Sequence, residues 1–98
     1  MRQIIFTKQA GKKLKQINKS TPQIAKSIKN LLLSLAEDVE QVRGETLQGY
    51  SAFKKFRVGK YRVIYTYNET TVTVAILDKR EIVYQSFEKL MKNSDFKI

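Results

Sequence analysis

The chain contains no cysteine, so neither a disulfide framework nor a thiolate site is available to it. Histidine is absent too, which removes the usual general base near neutral pH and the commonest zinc ligand. Any catalysis must run on Lys, Arg, Tyr, Ser, Thr or carboxylates, and no metal or other cofactor is called for. No apolar run approaches the roughly 20 residues needed to span a bilayer. The opening Met1-Arg2-Gln3-Ile4-Ile5-Phe6-Thr7 lacks a sustained hydrophobic region and a small-residue cleavage site. A cytoplasmic location is expected. Acidic residues are missing from positions 1–36, which hold eight cations: Arg2, Lys8, Lys12, Lys13, Lys15, Lys19, Lys26 and Lys29. Residues 37–45 reverse the bias, with Glu37, Asp38, Glu40 and Glu45 against Arg43. Repeats, low-complexity segments and linkers are also missing, and 98 residues suffice for one domain, 1–98, with a modest core.

What is present points to a folded, strongly basic protein. An apolar fraction of 42% with five Tyr and five Phe excludes a disordered chain. The net charge of +10 comes from 19 basic and nine acidic residues. Such a bias favours a polyanionic partner, with nucleic acid first; an acidic protein partner or a merely solubilising surface are the other readings.

The most informative stretch runs from Phe53 to Tyr67 and reads as a β-hairpin turning at Gly59. Alternation sends Lys55 and Arg57 to one face and Lys54, Phe56 and Val58 to the other. In the second strand Tyr61, Val63, Tyr65 and Tyr67 share a face, opposite Arg62, Ile64 and Thr66. Like charges across a ladder repel, so cations clustered on adjacent strands call for an anion to offset them. RNA phosphate is the leading candidate.

The remaining elements follow from local patterns. Residues 2–6 read as a first strand. Thr7 is a candidate N-cap for a helix through about Asn18, with Ala10, Leu14 and Ile17 as its buried stripe. Lys8, Lys12, Lys15 and Lys19 form a second stripe, either a wet helix face or, with no acid in residues 1–36, a contact to nucleic acid. Ser20 or Thr21 caps a second helix with Pro22 in its first turn, burying Ile24, Ile28, Leu31, Leu32 and Leu35 and ending near Glu37. Residues 38–51 read as a polar connection. Strands are expected at about 53–58, 60–67 and 70–77, then a short strand Ile82-Val83-Tyr84. A short terminal helix is expected at Phe87, Leu90 and Met91, with residues 93–98 fraying. The fold class is α+β: an antiparallel sheet of four to five strands, with an N-terminal helical hairpin on one face and the other face free for function.

Three motifs carry a resemblance. Leu47-Gln48-Gly49, then Lys55-Phe56-Arg57-Val58-Gly59-Lys60-Tyr61-Arg62-Val63-Ile64-Tyr65, then Lys79-Arg80-Glu81-Ile82-Val83-Tyr84 is similar to the RelE/ParE superfamily of type II toxins. RelE-type members are ribosome-dependent endoribonucleases that cut mRNA in the decoding site, whereas ParE-type members poison DNA gyrase and generally lack the full cationic set. The resemblance puts the RelE catalytic positions on Lys55, Arg57, Arg62, Arg80 and Tyr84. Lys79 stands where many relatives have histidine. Lys8, Lys12, Lys15, Lys19, Lys54 and Lys79 are then candidate RNA contacts. It also implies a cognate antitoxin with an acidic or amphipathic segment, and the ribosome with its rRNA and mRNA as partner.

The chemistry open to such residues needs no metal: the RNA 2′-OH attacks the adjacent phosphorus. Lys55 is the candidate general base or an electrostatic aid to it. Arg62 would hold the non-bridging oxygens, and Arg80 would stabilise the leaving oxygen or donate to it through water. Tyr84 would stack on a base or donate a hydrogen bond to phosphate. Tyr61, Tyr65 and Tyr67 read as core and edge packing, and Lys54 and Lys60 as solvated edge and turn charges. A ParE-type gyrase inhibitor and a basic binding module without activity are the competing functions.

Overall fold

The computed structural model describes residues 1–93. Strand β1 (Gln3–Phe6) leads into helices α1 (Lys8–Ser20) and α2 (Pro22–Glu37). A 3-10 turn at Val39–Gln41 is followed by β2 (Glu45–Leu47), β3 (Tyr50–Val58), β4 (Tyr61–Tyr67), β5 (Thr71–Lys79) and α3 (Arg80–Lys92). The sheet order is β1-β5-β4-β3-β2. Three neighbouring pairs are antiparallel, but β1 runs parallel to β5. The sheet is therefore mixed, not the antiparallel one expected. No tight turn ties β1 to β5, so hairpin geometry does not dictate its direction.

The helical hairpin forms for the reasons its sequence gives. Thr7 caps α1, its hydroxyl accepting from Ala10 N at 3.3 Å and donating to Ala75 O at 2.6 Å. Ala10, Leu14 and Ile17 are buried as the i, i+4, i+7 stripe requires. Thr21 takes the N-cap position of α2 without a side-chain bond, and Pro22 occupies the first turn. On α2 the fully buried residues are Ala25, Ile28, Leu32, Leu35 and Ala36, while Ile24 and Leu31 are half-buried. These helices cover one face of the sheet, against Phe56, Val58, Tyr61, Val63 and Tyr65. Beyond the end of β1, Gln9 takes over the ladder: its side-chain amide donates to Leu77 O at 3.0 Å and accepts from Leu77 N at 3.1 Å.

The second face is not free. The expected strand Ile82-Val83-Tyr84 is instead the first turn and a half of α3, which begins at Arg80. Its Val83 and Phe87 pack on Leu47, Phe53, Ile64, Ala75 and Ile76 to make a second core. Val83, Phe87 and Leu90 follow helical spacing, and burying that stripe outweighs the β preference of Ile82-Val83-Tyr84. The fraying expected for 93–98 falls, apart from Asn93, outside the described residues. The region 38–51 also carries more structure than a connection, since β2 pairs with β3 as far as Glu45↔Lys55.

Among the described residues no helix is long and apolar enough to cross a membrane.

Candidate nucleic-acid cleavage site

The site lies where β3, β4 and α3 meet. Alternation holds through the hairpin, so Phe53, Lys55 and Arg57 share the α3 side with Arg62 and Ile64. The register places Arg57 directly opposite Arg62 and Lys55 opposite Ile64. Gly59, at φ 59°, makes the tight turn that brings the two strands into this register. The second strand is central in the sheet, flanked by β3 and β5, which fixes the Arg62 backbone on both sides.

Helix α3 supplies the third component. Its first N–H, from Arg80, bonds to Lys60 O at 3.3 Å, tying the helix start to the hairpin turn. Tyr84 lies one turn on, and its hydroxyl accepts hydrogen bonds from Lys55 Nζ at 2.9 Å and Arg62 Nη1 at 3.4 Å. The Lys55 ammonium also lies 5.1 Å from the centre of the Tyr84 ring. Arg62 Nε is buried and has no hydrogen-bond partner among the described residues. Asp78, opposite Arg62 across the β4–β5 ladder, is engaged elsewhere, by Lys13 at 3.5 Å and by Gln9. Lys55, Arg57 and Arg62 line a cleft of about 300 Å³ together with Arg43 and Glu45.

Electrostatics follow from these contacts. Burial alone raises the Tyr84 phenol, but the hydrogen bond and charge of Lys55, then the charge and hydrogen bond of Arg62, outweigh it. Its pKa falls below the ordinary 10.0. Tyr65 behaves oppositely: burial first, and the neighbouring Tyr67 charge second, push it up to about 12. In an alkaline titration followed by ultraviolet absorbance, one phenolate should therefore form below pH 10 and one only near 12. Tyr84→Phe should remove the early step, and Lys55→Met should move it to higher pH. An early step that survives Tyr84→Phe would overturn the assignment.

This constellation offers a hydroxyl held by two cations beside an open cleft that Lys55, Arg57 and Arg62 line, which suits an anionic oxygen cluster such as a phosphodiester. The sequence profile of the ParE toxin of type II toxin–antitoxin systems matches residues 4–83. The chain belongs to this family. It is a toxin of the RelE/ParE superfamily. No curated protein matches the toxin in sequence. Among solved structures, it resembles a YoeB dimer from Staphylococcus aureus, with a TM-score of 0.73 at 20% identity over 81% of this chain and 97% of that one. The RelB–RelE antitoxin–toxin complex from Methanococcus jannaschii gives 0.67 at 23% identity, covering 85% and 98%. The RelBE2 toxin–antitoxin complex from Mycobacterium tuberculosis gives 0.64 at 24%, covering 81% and 98%. These likenesses establish the shared fold.

The residues singled out in the sequence fall into two groups. Lys55, Arg62 and Tyr84 are in contact, and Arg57 lines the same cleft. Arg80 is exposed one turn before Tyr84 on the same side of α3, and its side chain has no hydrogen bond or ion pair among the described residues. Lys79 is exposed at the N-cap of α3. Lys54 points to the helical-hairpin side, away from Lys55, as alternation requires. Lys8, Lys12, Lys15 and Lys19 are exposed on α1, on the opposite side of the sheet from Tyr84. Tyr61 and Tyr65 are core residues, and Tyr67 is exposed at the end of the central strand β4, touched by Arg2.

Two charged residues of the cleft have no counterpart in the motifs. Arg43 and Glu45 reach the cleft because β2 adds to β3, with Glu45 Oε2 3.9 Å from Lys55 Nζ. The only sequence signal was the spacing of Glu45 two residues before the Leu47-Gln48-Gly49 turn.

Proposed function

We propose that this toxin is a metal-independent endoribonuclease that cuts mRNA in the decoding site of the ribosome. The observation that carries this reading is the Tyr84 hydroxyl held between Lys55 and Arg62. In the reaction the 2′-oxygen bonds to phosphorus, the bond from phosphorus to the 5′-oxygen breaks, and a 2′,3′-cyclic phosphate and a 5′-hydroxyl result. A base removes the 2′ proton, and an acid returns a proton to the leaving oxygen. Arg62 and Arg57, which both line the cleft, hold the non-bridging oxygens. Because the Tyr84 oxygen already accepts two hydrogen bonds, its own proton is left to donate to phosphate or to the leaving oxygen. Lys55 serves as general base or supports one, and the Glu45 carboxylate beside it is a second proton acceptor. Arg80 stabilises the leaving oxygen. Lys79 contacts the RNA backbone nearby. Holding mRNA in place falls to the ribosome, and Lys8, Lys12, Lys15 and Lys19, behind the sheet, meet rRNA there. Lys54, on that side too, adds a weaker contact.

The partner that restrains the toxin is an antitoxin whose acidic or amphipathic segment is drawn in by the +10 charge. Relatives solved as toxin–antitoxin complexes support this. Action on ribosomes places the protein in the cytoplasm.

A second reading rests on the profile that matches, which is that of ParE toxins: a gyrase inhibitor without catalytic chemistry. The two separate on purified ribosomes stalled with an empty decoding site. Primer extension should reveal cuts within the decoding-site codon that require the ribosome and that Arg80→Ala lowers by about 10²-fold or more. No cutting by folded, antitoxin-free wild type, with a DNA-damage response and intact translation in cells, would establish the gyrase reading.

A further inference from the structure

Beside the reactive cluster lies a second cleft, of about 340 Å³, that shares Lys55 and Tyr84 with it. Its other walls differ in chemistry. Leu47 and Phe87 are buried and form an apolar floor. The Tyr50 ring packs edge-to-face on Phe87 at 4.9 Å, which fixes it in place. Gln48, on the β2–β3 turn, and Glu88, one helical turn after Tyr84, supply the polar rim. The volume is at the lower end of the range for small-ligand sites, about 300–1,000 Å³, and suits one nucleobase.

Glu88 is the informative residue. Cations outnumber acids 19 to nine in this chain, yet Glu88 forms no ion pair among the described residues. A free carboxylate next to a phosphate-binding cluster opposes RNA binding unless it accepts hydrogen bonds from the RNA. The RNA groups able to give them are base N–H donors and ribose 2′-hydroxyls, and a cleft walled by Leu47, Phe87 and the Tyr50 ring suits the base rather than the sugar.

Resting on the nuclease reading above, we propose that this cleft holds the base next to the scissile phosphate, and that Glu88 selects bases bearing an amino group against uracil. Cytosine, adenine and guanine each present an exocyclic amino donor to a carboxylate. Uracil presents a single N–H flanked by two carbonyl oxygens, which the carboxylate repels. The apolar floor and the Tyr50 ring accept any base, so the discrimination falls to Glu88. Lys55 lines both clefts, and Tyr84, which lines the base cleft, holds its hydroxyl on Lys55 and Arg62.

The test uses purified ribosomes carrying a library of mRNAs with every codon in the decoding site, with cuts mapped by sequencing for wild type and Glu88→Gln. Wild type should be poor at sites with uracil at one nucleotide flanking the cut. Glu88→Gln, which can donate to a uracil carbonyl, should raise the share of cuts at those sites about tenfold, the discrimination of one good base contact. A Glu88→Gln pattern identical to wild type, or a uniform loss at all codons, overturns the assignment alone. A folded wild type that cuts no codon overturns the nuclease reading together with it.

Discussion

Replacing Arg62 by Met is expected to lower ribosome-dependent cleavage by about 10²–10³-fold, the cost of one lost oxyanion donor, without lowering the melting temperature. The second half of this expectation is the more diagnostic. Arg62 sits on the central strand, opposite Arg57, where two like charges destabilise the ladder. Its Nε is buried without a partner among the described residues, which costs about 1–3 kcal/mol for a donor of this kind. The nearest carboxylate across the β4–β5 ladder, Asp78, pairs with Lys13 instead. Methionine keeps an apolar stem of similar length while deleting the charge and the stranded donor. The fold should therefore be as stable as before or more so, as happens where a site holds unfavourable groups for function. Arg62→Lys restores a charge but not the planar fork, and should recover only part of the rate. If melting temperature and cleavage fall together in Arg62→Met, the residue is structural and the phosphate assignment fails.

How much of this site could be read from the chain depends on the range of the interactions that build it. The faces of β3 and β4 follow from alternation alone, so the separation of Lys55 and Arg57 from Lys54 was legible. The α1 stripe and the Thr7 cap were legible for the same reason, because a helix face is a local pattern. The parallel pairing of β1 with β5 was not, since its partners lie about 68 residues apart, as Gln3↔Thr71 illustrates. Ile82-Val83-Tyr84 was misread because β-branched and aromatic residues favour strands only where a pleated neighbour exists. The period-3.6 signal linking Val83 to Phe87 and Leu90 was present and is the stronger guide. This one misassignment also hid the occupied second face of the sheet. Tyr84 was identified through its motif, while its contacts with Lys55 and Arg62 depend on α3 being a helix docked on that face.

That dependence makes Phe87 a residue whose loss should cost both stability and the site. It is 1% exposed and makes edge contacts with Tyr50 and Phe53, each at 4.9 Å between ring centres. Phe87→Ala should cost about 3–5 kcal/mol from lost transfer energy and the cavity left behind. For a chain of this size that lowers the melting temperature by more than about 12 °C. The same substitution should reach the site, because Phe87 and Val83 anchor the helix that carries Arg80, Tyr84 and Glu88. When α3 loosens, Tyr84 leaves Lys55 and Arg62, and its ionisation returns towards the ordinary 10.0. A control of comparable cost is Leu32→Ala, at about 2–5 kcal/mol. It lies in the other core, beneath the helical hairpin, and should leave the Tyr84 titration alone at temperatures where the protein is folded. If Phe87→Ala and Leu32→Ala affect Tyr84 equally, the two cores act as one unit and α3 is not the separable element that assembles the site.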